Sequence, residues 1–274
     1  MNLVWAALIV IGATAAAIVA MLFVRRRAPE GSRFTDGDRA SGVFGVLATG
    51  FSVLLGFLIF LAFESYDQSR AGAETEALTV AQQVETARLL PAGVRDDLTG
   101  ELVCYARWVV DEEWPQLEAG SLDKNISPWG VAMFQTIESV EPDSASEEAA
   151  YGKWLDQTSD REQARQDRIH GAVGVIPTPL WIVLFFITAI IFVYLLFFAD
   201  SGEPAITQAL LMGSVVAVVV AMLLLLGFLD DPFHSEIGGV QPTAMERTLA
   251  IIDEEILATG LDLTIPCDES GRPL

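Results

Sequence analysis

The sequence predicts an all-α polytopic membrane protein with four transmembrane helices and a helical extramembrane domain. Three observations carry this. Hydrophobic residues make up 52% of the 274 positions and charged residues only 19%, a balance too apolar for an ordinary soluble domain. The apolar residues concentrate in four blocks free of Asp, Glu, Lys, Arg and His: Leu3 to Val24, Val43 to Phe63, Thr178 to Ala199 and Ala205 to Leu229. Between the blocks the sequence keeps helical spacing and nowhere sustains strand-like alternation.

Each block exceeds the roughly 18 residues that cross a hydrocarbon core about 30 Å thick. A backbone in lipid must satisfy its own hydrogen bonds, so each block is read as a spanning helix. The first is a stop-transfer helix and not a cleaved leader, because Arg25, Arg26 and Arg27 follow it and no basic region precedes it. Four segments result: 1–63, the first helical hairpin with a basic loop; 64–177, an acidic helical extramembrane domain; 178–229, the second hairpin; and 230–274, a C-terminal helix and tail.

The first loop, RRRAPEGSRFTDGDRAS, carries five arginines, namely Arg25, Arg26, Arg27, Arg33 and Arg39. Short basic loops stay in the cytoplasm. The expected location is therefore the cell membrane, with this loop inside and the 114-residue segment after the second span outside. That segment begins as a continuation of the second span. Phe63, Tyr66, Ala73, Ala77, Val80, Ala81, Val84, Ala87 and Leu90 keep helical spacing up to Pro91. A second helix is predicted from about Val94 to Trp114, with Leu98, Leu102, Tyr105, Val109 and Val110 inward and Pro115 closing it. Ser127 is placed as an N-cap and Pro128 as the first residue of a short helix. Ser144 to Ile169 reads as a polar helix leading to the third span. DSGEP turns between the third and fourth spans, and an amphipathic helix runs from about Thr243 to Leu257.

The net charge of −21 lies outside the spans. Residues 64–177 hold 22 acids against 9 basic residues, and residues 230–274 hold 10 against 2. Such a surface repels nucleic acid and anionic lipid and attracts cations; it equally keeps an exposed domain soluble. Cys104 and Cys267 are the only cysteines and fall on the same, non-cytoplasmic side. Two readings stay open for them: a disulfide that the compartment permits, or a buried thiol at Cys104 and an incidental one in the tail.

The sequence contains no nucleophile elbow, P-loop or HExxH pattern, so neither an enzyme nor a cofactor is expected. Asp111 to Glu113 and Asp253 to Glu255 could hold a hard cation such as Ca²⁺, and His234 with Glu236 could offer a metal two ligands. Exposed helix faces and a solvated loop explain these groups equally well. Coupled carriers need ionisable groups or broken helices near the midplane. The four spans have neither, which favours a passive pore or a structural bundle.

The second span has a distinctive face. Gly42, Gly45, Thr49, Ser52, Gly56, Ile59, Phe63 and Tyr66 alternate steps of three and four, and Ala48, Ser52 and Gly56 form a small-xxx-small series beside them. Small residues let helices approach closely in lipid. The same face would also serve as a pore wall, wettable along Thr49, Ser52 and Gly56 and narrowed by Ile59, Phe60 and Phe63, where an apolar ring gates by dewetting. Glu64 and Asp67 follow within a turn, and Asp230 and Asp231 end the fourth span. In a symmetric homo-oligomer these four would form acidic rings that concentrate cations at the mouth.

Several short motifs occur together in a fixed order: AFESY leaving the second span, EAL at Glu76 to Leu78, DEEWP at Asp111 to Pro115, PLW at Pro179 to Trp181, and LDDPF at Leu229 to Phe233. In this order and spacing the chain resembles the bacterial bestrophin-like membrane proteins. The resemblance implies kinship with bestrophins, pentameric ion channels whose second transmembrane helix lines the pore. It would run the pore along Thr49, Ser52, Gly56, Ile59, Phe60 and Phe63. Bestrophins place their large helical domain in the cytoplasm, whereas the arginine loop here puts it outside. Animal bestrophins are largely anion-selective, whereas the acids near Glu64 lean toward cations. The expected function is an oligomeric ion channel; the alternative is a non-conducting scaffold or sensor whose acidic outer domain binds a cation or a partner.

Overall fold

The structure is a computed structural model that describes residues 3–28, 30, 33–121, 127–259 and 263–274. Among these residues the secondary structure is helical, with a single isolated β-bridge and no strand. The α-helices are α1 (Leu3–Arg25), α2 (Gly37–Ala87), α3 (Ala92–Trp108), α4 (Trp114–Glu118), α5 (Pro128–Glu138), α6 (Ala145–Ile169), α7 (Thr178–Phe197), α8 (Ala205–Asp230) and α9 (Thr243–Thr259). They divide into two compact units: Met1–Ser65 with Gly174–Asp230, and Tyr66–Val173 with Asp231–Leu274.

The first unit contains α1, α7, α8 and the first part of α2, the four helices long and apolar enough to cross a membrane. The α1–α8 pair approaches closely because α8 offers Gly213, where a Cβ would stand 3.2 Å from Ile18 and 3.3 Å from Thr14. Met21 of α1 and Met212 of α8 are buried in the same cluster. At one end of the unit Arg25 donates from Nε to the Asp200 carbonyl at 3.0 Å and from Nη2 to the carbonyls of Ser201 and Glu203. The backbone N–H of Arg33 reaches the Phe197 carbonyl, and the Phe34 ring lies 4.9 Å from that of Phe198. The arginine loop and the DSGEP turn therefore share one end, as an even number of spans between them requires.

α2 is one uninterrupted helix of 51 residues. Nothing inside it breaks it, since its sequence has no proline. Asp36 accepts from the Arg39 N–H at 3.0 Å at its start, and Pro91 follows its end. Within the first unit it buries Phe51, Leu55, Leu58 and Ala62.

In the second unit the same helix packs Ala77, Val80 and Val84 into a core with Leu98 and Leu102 of α3 and Trp154 of α6. α2 and α6 touch backbone to backbone at Gly72, where a Cβ would stand 2.3 Å from the Arg168 nitrogen and 2.8 Å from the Ala164 oxygen. α6 starts on a real cap, with Ser144 accepting from the Glu147 N–H at 3.2 Å and the Glu147 carboxylate accepting from the Asp143 N–H at 2.9 Å. α5 starts at the expected place but not by the expected bond. Ser127 makes no side-chain cap, and the fixed φ of Pro128 alone sets the first turn.

Pro115 does not close the second helix. The chain passes from α3 through a π-helical turn, Val109–Glu113, into α4. Pro115 has no N–H for the Asp111 carbonyl and its ring crowds that carbonyl, so the helix widens by one residue instead of stopping.

The C-terminal segment lies along α3. Cys104 and Cys267 are joined by a disulfide. Trp129 Nε1 donates to the Gly271 carbonyl at 2.6 Å, and Arg272 pairs with Glu112 at 2.7 Å. Gly271 has φ +81°, and a Cβ there would stand 2.4 Å from the Trp108 nitrogen.

Gly72→Ala is expected to destabilise the second unit by about 1–3 kcal/mol through overpacking, whereas Gly56→Ala, with nothing within 4 Å of its Cβ position, should leave the fold unchanged. Thermal unfolding of the two variants in detergent, followed by tryptophan fluorescence, checks the contrast.

Candidate functional site

The small-residue face of α2 is not the face that α2 uses within its own chain. Thr49, Ser52 and Gly56 are exposed, Phe60 and Phe63 are 55% and 51% exposed, and Ile59 is half-buried. A Cβ added at Gly42, Gly45, Gly50 or Gly56 would meet nothing within 4 Å. The opposite side carries the buried residues Phe51, Leu55, Leu58 and Ala62. Ser52 spends its proton on the Ala48 carbonyl at 2.8 Å, which keeps its lone pairs outward.

The four acids expected at the mouth divide between the units: Glu64 and Asp230 in the first, Asp67 and Asp231 in the second. Glu64, Asp67 and Asp231 are exposed. Asp230 is half-buried and engaged. One oxygen accepts from the N–H groups of Val175 and Ile176 at 2.7 and 2.8 Å, and the other accepts from Trp181 Nε1 at 3.3 Å. It thereby ties the end of α8 to the entry of α7 and satisfies donors that precede a spanning helix.

A polar centre in the second unit escaped the sequence reading. Arg168 of α6 is fully buried and donates to both oxygens of the equally buried Glu76 of α2, and to Glu113 of the π turn. Arg165 also donates to Glu113. Tyr105 of α3 donates to Glu76 at 2.5 Å, and the Arg161 guanidinium lies 4.8 Å over the Tyr105 ring while donating to Gln83 at 2.8 Å. Phe233 packs edge-on against Trp114, which also faces Arg168.

Burial alone would raise the Glu113 carboxyl, but the Arg168 and Arg165 guanidiniums overcome it and hold it below its ordinary value. Burial likewise disfavours charge on Arg168, and Glu76 and Glu113 more than reverse that. The Tyr105 hydroxyl is pushed well up, first by burial and then by Glu76.

A signal for this centre was present. Glu76 interrupts the apolar face formed by Ala73, Ala77 and Val80, and Arg161 and Arg168 share a helical face with Ala150, Trp154 and Ala164. The motifs EAL, DEEWP, PLW and LDDPF supply Glu76, Glu113 with Trp114, Trp181, and Asp230 with Phe233, and each of these residues makes its contacts inside its own unit. Among the described residues no group of three or more His, Cys, Asp or Glu could hold a metal.

Four apolar helices, and a helical unit built on buried ion pairs, define a multi-pass membrane protein with a large extramembrane domain. Comparison with known families gives it a place: the bestrophin-like domain matches residues 11–245, and the chain belongs to the bestrophin-like family. Solved variants of a bacterial bestrophin homologue from Klebsiella pneumoniae share the fold. One superposes with a TM-score of 0.69 at 15% identity, over 92% of this chain and 99% of its own. A second gives 0.67 at 14% identity, over 89% and 98%. A third gives 0.64 at 16% identity, over 92% and 98%. No curated protein matches the chain in sequence.

Arg168→Ala is expected to cost about 3–5 kcal/mol, because it strands the fully buried Glu76 carboxylate and leaves Glu113 to Arg165 alone. Glu76→Gln with Arg168→Met together should cost less than Arg168→Ala alone, and chemical denaturation of the three proteins checks the order. Glu101 behaves oppositely to Glu113. Burial pushes its carboxyl up from 4.5 to about 7, the Thr136 hydroxyl bond lowers it, and Asp97 raises it. The folded state therefore binds this proton more tightly than the unfolded chain. The stability linked to Glu101 is fully present below 4.5 and is lost as the pH rises through about 7. Unfolding temperatures measured from pH 4.5 to 8 should fall more steeply for the wild type than for Glu101→Gln.

Proposed function

We propose that the protein is a homo-oligomeric ion channel of the bestrophin-like family in which α2 lines the pore. One observation carries the reading: the face of α2 made of Thr49, Ser52 and Gly56 is left open by its own chain, although small residues are the ones that helices in lipid pack upon. An open face of this kind can face lipid, other copies or a water-filled path, and its glycines and hydroxyls favour the last two. Ile59, Phe60 and Phe63 form the apolar constriction, and Glu64, Asp67, Asp230 and Asp231 form an acidic mouth favouring cations. Asp230 contributes its field there while remaining bonded to Val175, Ile176 and Trp181.

The large domain lies on the extracytoplasmic side. Two independent features support this: the basic loop of residues 25–39, which favours the cytoplasm, and the Cys104–Cys267 disulfide, a bond that persists in oxidising compartments. The orientation is the reverse of that known for bestrophins.

Bilayer recording of the purified protein with unequal salt on the two sides should give current that reverses near the cation equilibrium potential. Ile59→Ala with Phe63→Ala should raise the open probability. A flat trace across voltage, pH and Ca²⁺ would sink the channel reading in favour of a scaffold. Orientation is read separately from single cysteines at Thr35 and Ser159 in a Cys104→Ser, Cys267→Ser background. A membrane-impermeant thiol reagent added to whole cells should label position 159 and spare position 35.

A further inference from the structure

Within the first unit an apolar pocket of about 330 Å³ lies between α1, α7 and α8. It exists because short residues meet there: Ala13, Ala16 and Ala17 of α1 and Ala189 of α7 each present a single methyl group. Thr188 supplies the only side-chain polar atom in the described lining, and its hydroxyl donates to the Leu184 carbonyl of its own helix at 2.8 Å. Walls of this kind do not hold water, and left empty they forfeit dispersion contacts on every side. The exposed Ala16 places the opening on the lipid-facing side of α1, at the level of the hydrocarbon core.

The helix face that lines the pocket leads to a cation. Ala13, Ala17, Ala20, Val24 and Arg27 follow steps of four, three, four and three, which is one face of α1 carried into the turn that ends it. The Arg27 N–H still reaches the Val24 carbonyl at 3.0 Å, so the turn keeps that register. Arg27 is exposed, and its guanidinium lies 4.4 Å over the Phe23 ring. Leu195, in the last turn of α7, brings the lining toward the same end of the unit, where Arg25 bonds the Asp200 carbonyl. From Ala17 to Arg27 the helix rises about 15 Å, half of a hydrocarbon core about 30 Å thick. A chain that starts at Arg27 therefore ends in the pocket, near the bilayer midplane.

We propose that this pocket holds one acyl chain of a membrane phospholipid from the leaflet on the arginine-loop side, with the lipid phosphate paired to Arg27. Hydrocarbon meets the alanine-lined walls without stranding a polar group, and the planar guanidinium offers the phosphate two parallel N–H donors. The chain fills the gap between α7 and the α1–α8 pair, so the lipid stabilises the folded first unit as any ligand of the native state does. No residue of α2 belongs to the described lining. The lipid site and the pore reading therefore stand or fall separately.

The test titrates palmitoyl-oleoyl phosphatidylglycerol into the full chain, delipidated in a maltoside detergent. Native mass spectrometry counts lipids per chain, and circular dichroism follows helix content and the unfolding temperature. The wild type should bind one lipid per chain saturably, and its unfolding temperature should rise with occupancy. Ala16→Phe, which fills the pocket, should lose that lipid, whereas Ala15→Phe, at an exposed position outside the lining, should keep it. Arg27→Gln should weaken binding about fivefold, as should replacing the phospholipid by the diacylglycerol with the same chains. Dihexanoyl phosphatidylglycerol, whose chains stop short of the pocket, should not saturate in the same range. Unchanged saturable binding in Ala16→Phe, or equal binding of the dihexanoyl lipid, would overturn the site. A fall in oligomer mass in Ala16→Phe with helix content intact would overturn it too, in favour of a contact between copies. Equal affinity for the diacylglycerol would overturn the pairing with Arg27. If Ala16→Phe loses helix content, Ala189→Leu decides by the same lipid count.

Discussion

The second unit depends on one burial: a guanidinium with no exposed surface, at Arg168, has to be neutralised where it lies. Desolvating such a group costs several kcal/mol unless carboxylates meet it with good geometry. Glu76 must therefore face α6 from α2, and Glu113 must face it from the turn between α3 and α4. Other features follow from this requirement. Gly72 allows α2 and α6 to approach backbone to backbone one turn before Glu76. The π turn forced by Pro115 brings Glu113 inward from a helix that would otherwise carry its acids outward. Tyr105 takes up a further lone pair of Glu76, and Trp114 covers the guanidinium.

The first unit obeys a different constraint. Its spans contain no charged residue to organise them, so close packing at Gly213 and backbone self-sufficiency hold α1 against α8. Polar side-chain bonds that link its segments lie at its ends, at Arg25 and at Asp230, where orphan carbonyl and amide groups need partners. α2 belongs to both regimes. Below Ser65 it packs by apolar side chains on one face and leaves its small residues open. Beyond Tyr66 it becomes the wall of a polar, ion-paired core. A helix of this kind can couple events at one end to the other because it is a single hydrogen-bonded element.

The motifs that point to the bestrophin-like family are mostly structural joints. Glu76, Glu113 and Trp114, Trp181, and Asp230 with Phe233 each bond or pack against residues distant in sequence. Their chemistry is visible in the chain, but their pairing is not, because nothing local to Glu76 indicates that its partner lies 92 positions away on a helix that reads as polar. The apparent polarity of α6 misled for the same reason. Arg161, Gln157 and Arg168 occupy the inward face, and only their partners make them core residues. The capping of α5 shows the smaller version of this limit. Its position was legible from Ser127 and Pro128, whereas the missing Ser127 bond depends on tertiary surroundings.

The sequence by itself determined the class: four spans, a helical domain, the register of α2 and the side of α2 that carries small residues. These are properties of local hydropathy and of the 3.6-residue period, which act within one segment. Only the tertiary structure decided which face of α2 is spent on its own chain, that Pro115 widens a helix and does not end it, and that Arg168 gathers Glu76 and Glu113. Those outcomes depend on contacts between segments brought together by folding, where desolvation and steric fit choose among local alternatives that the chain alone leaves equal.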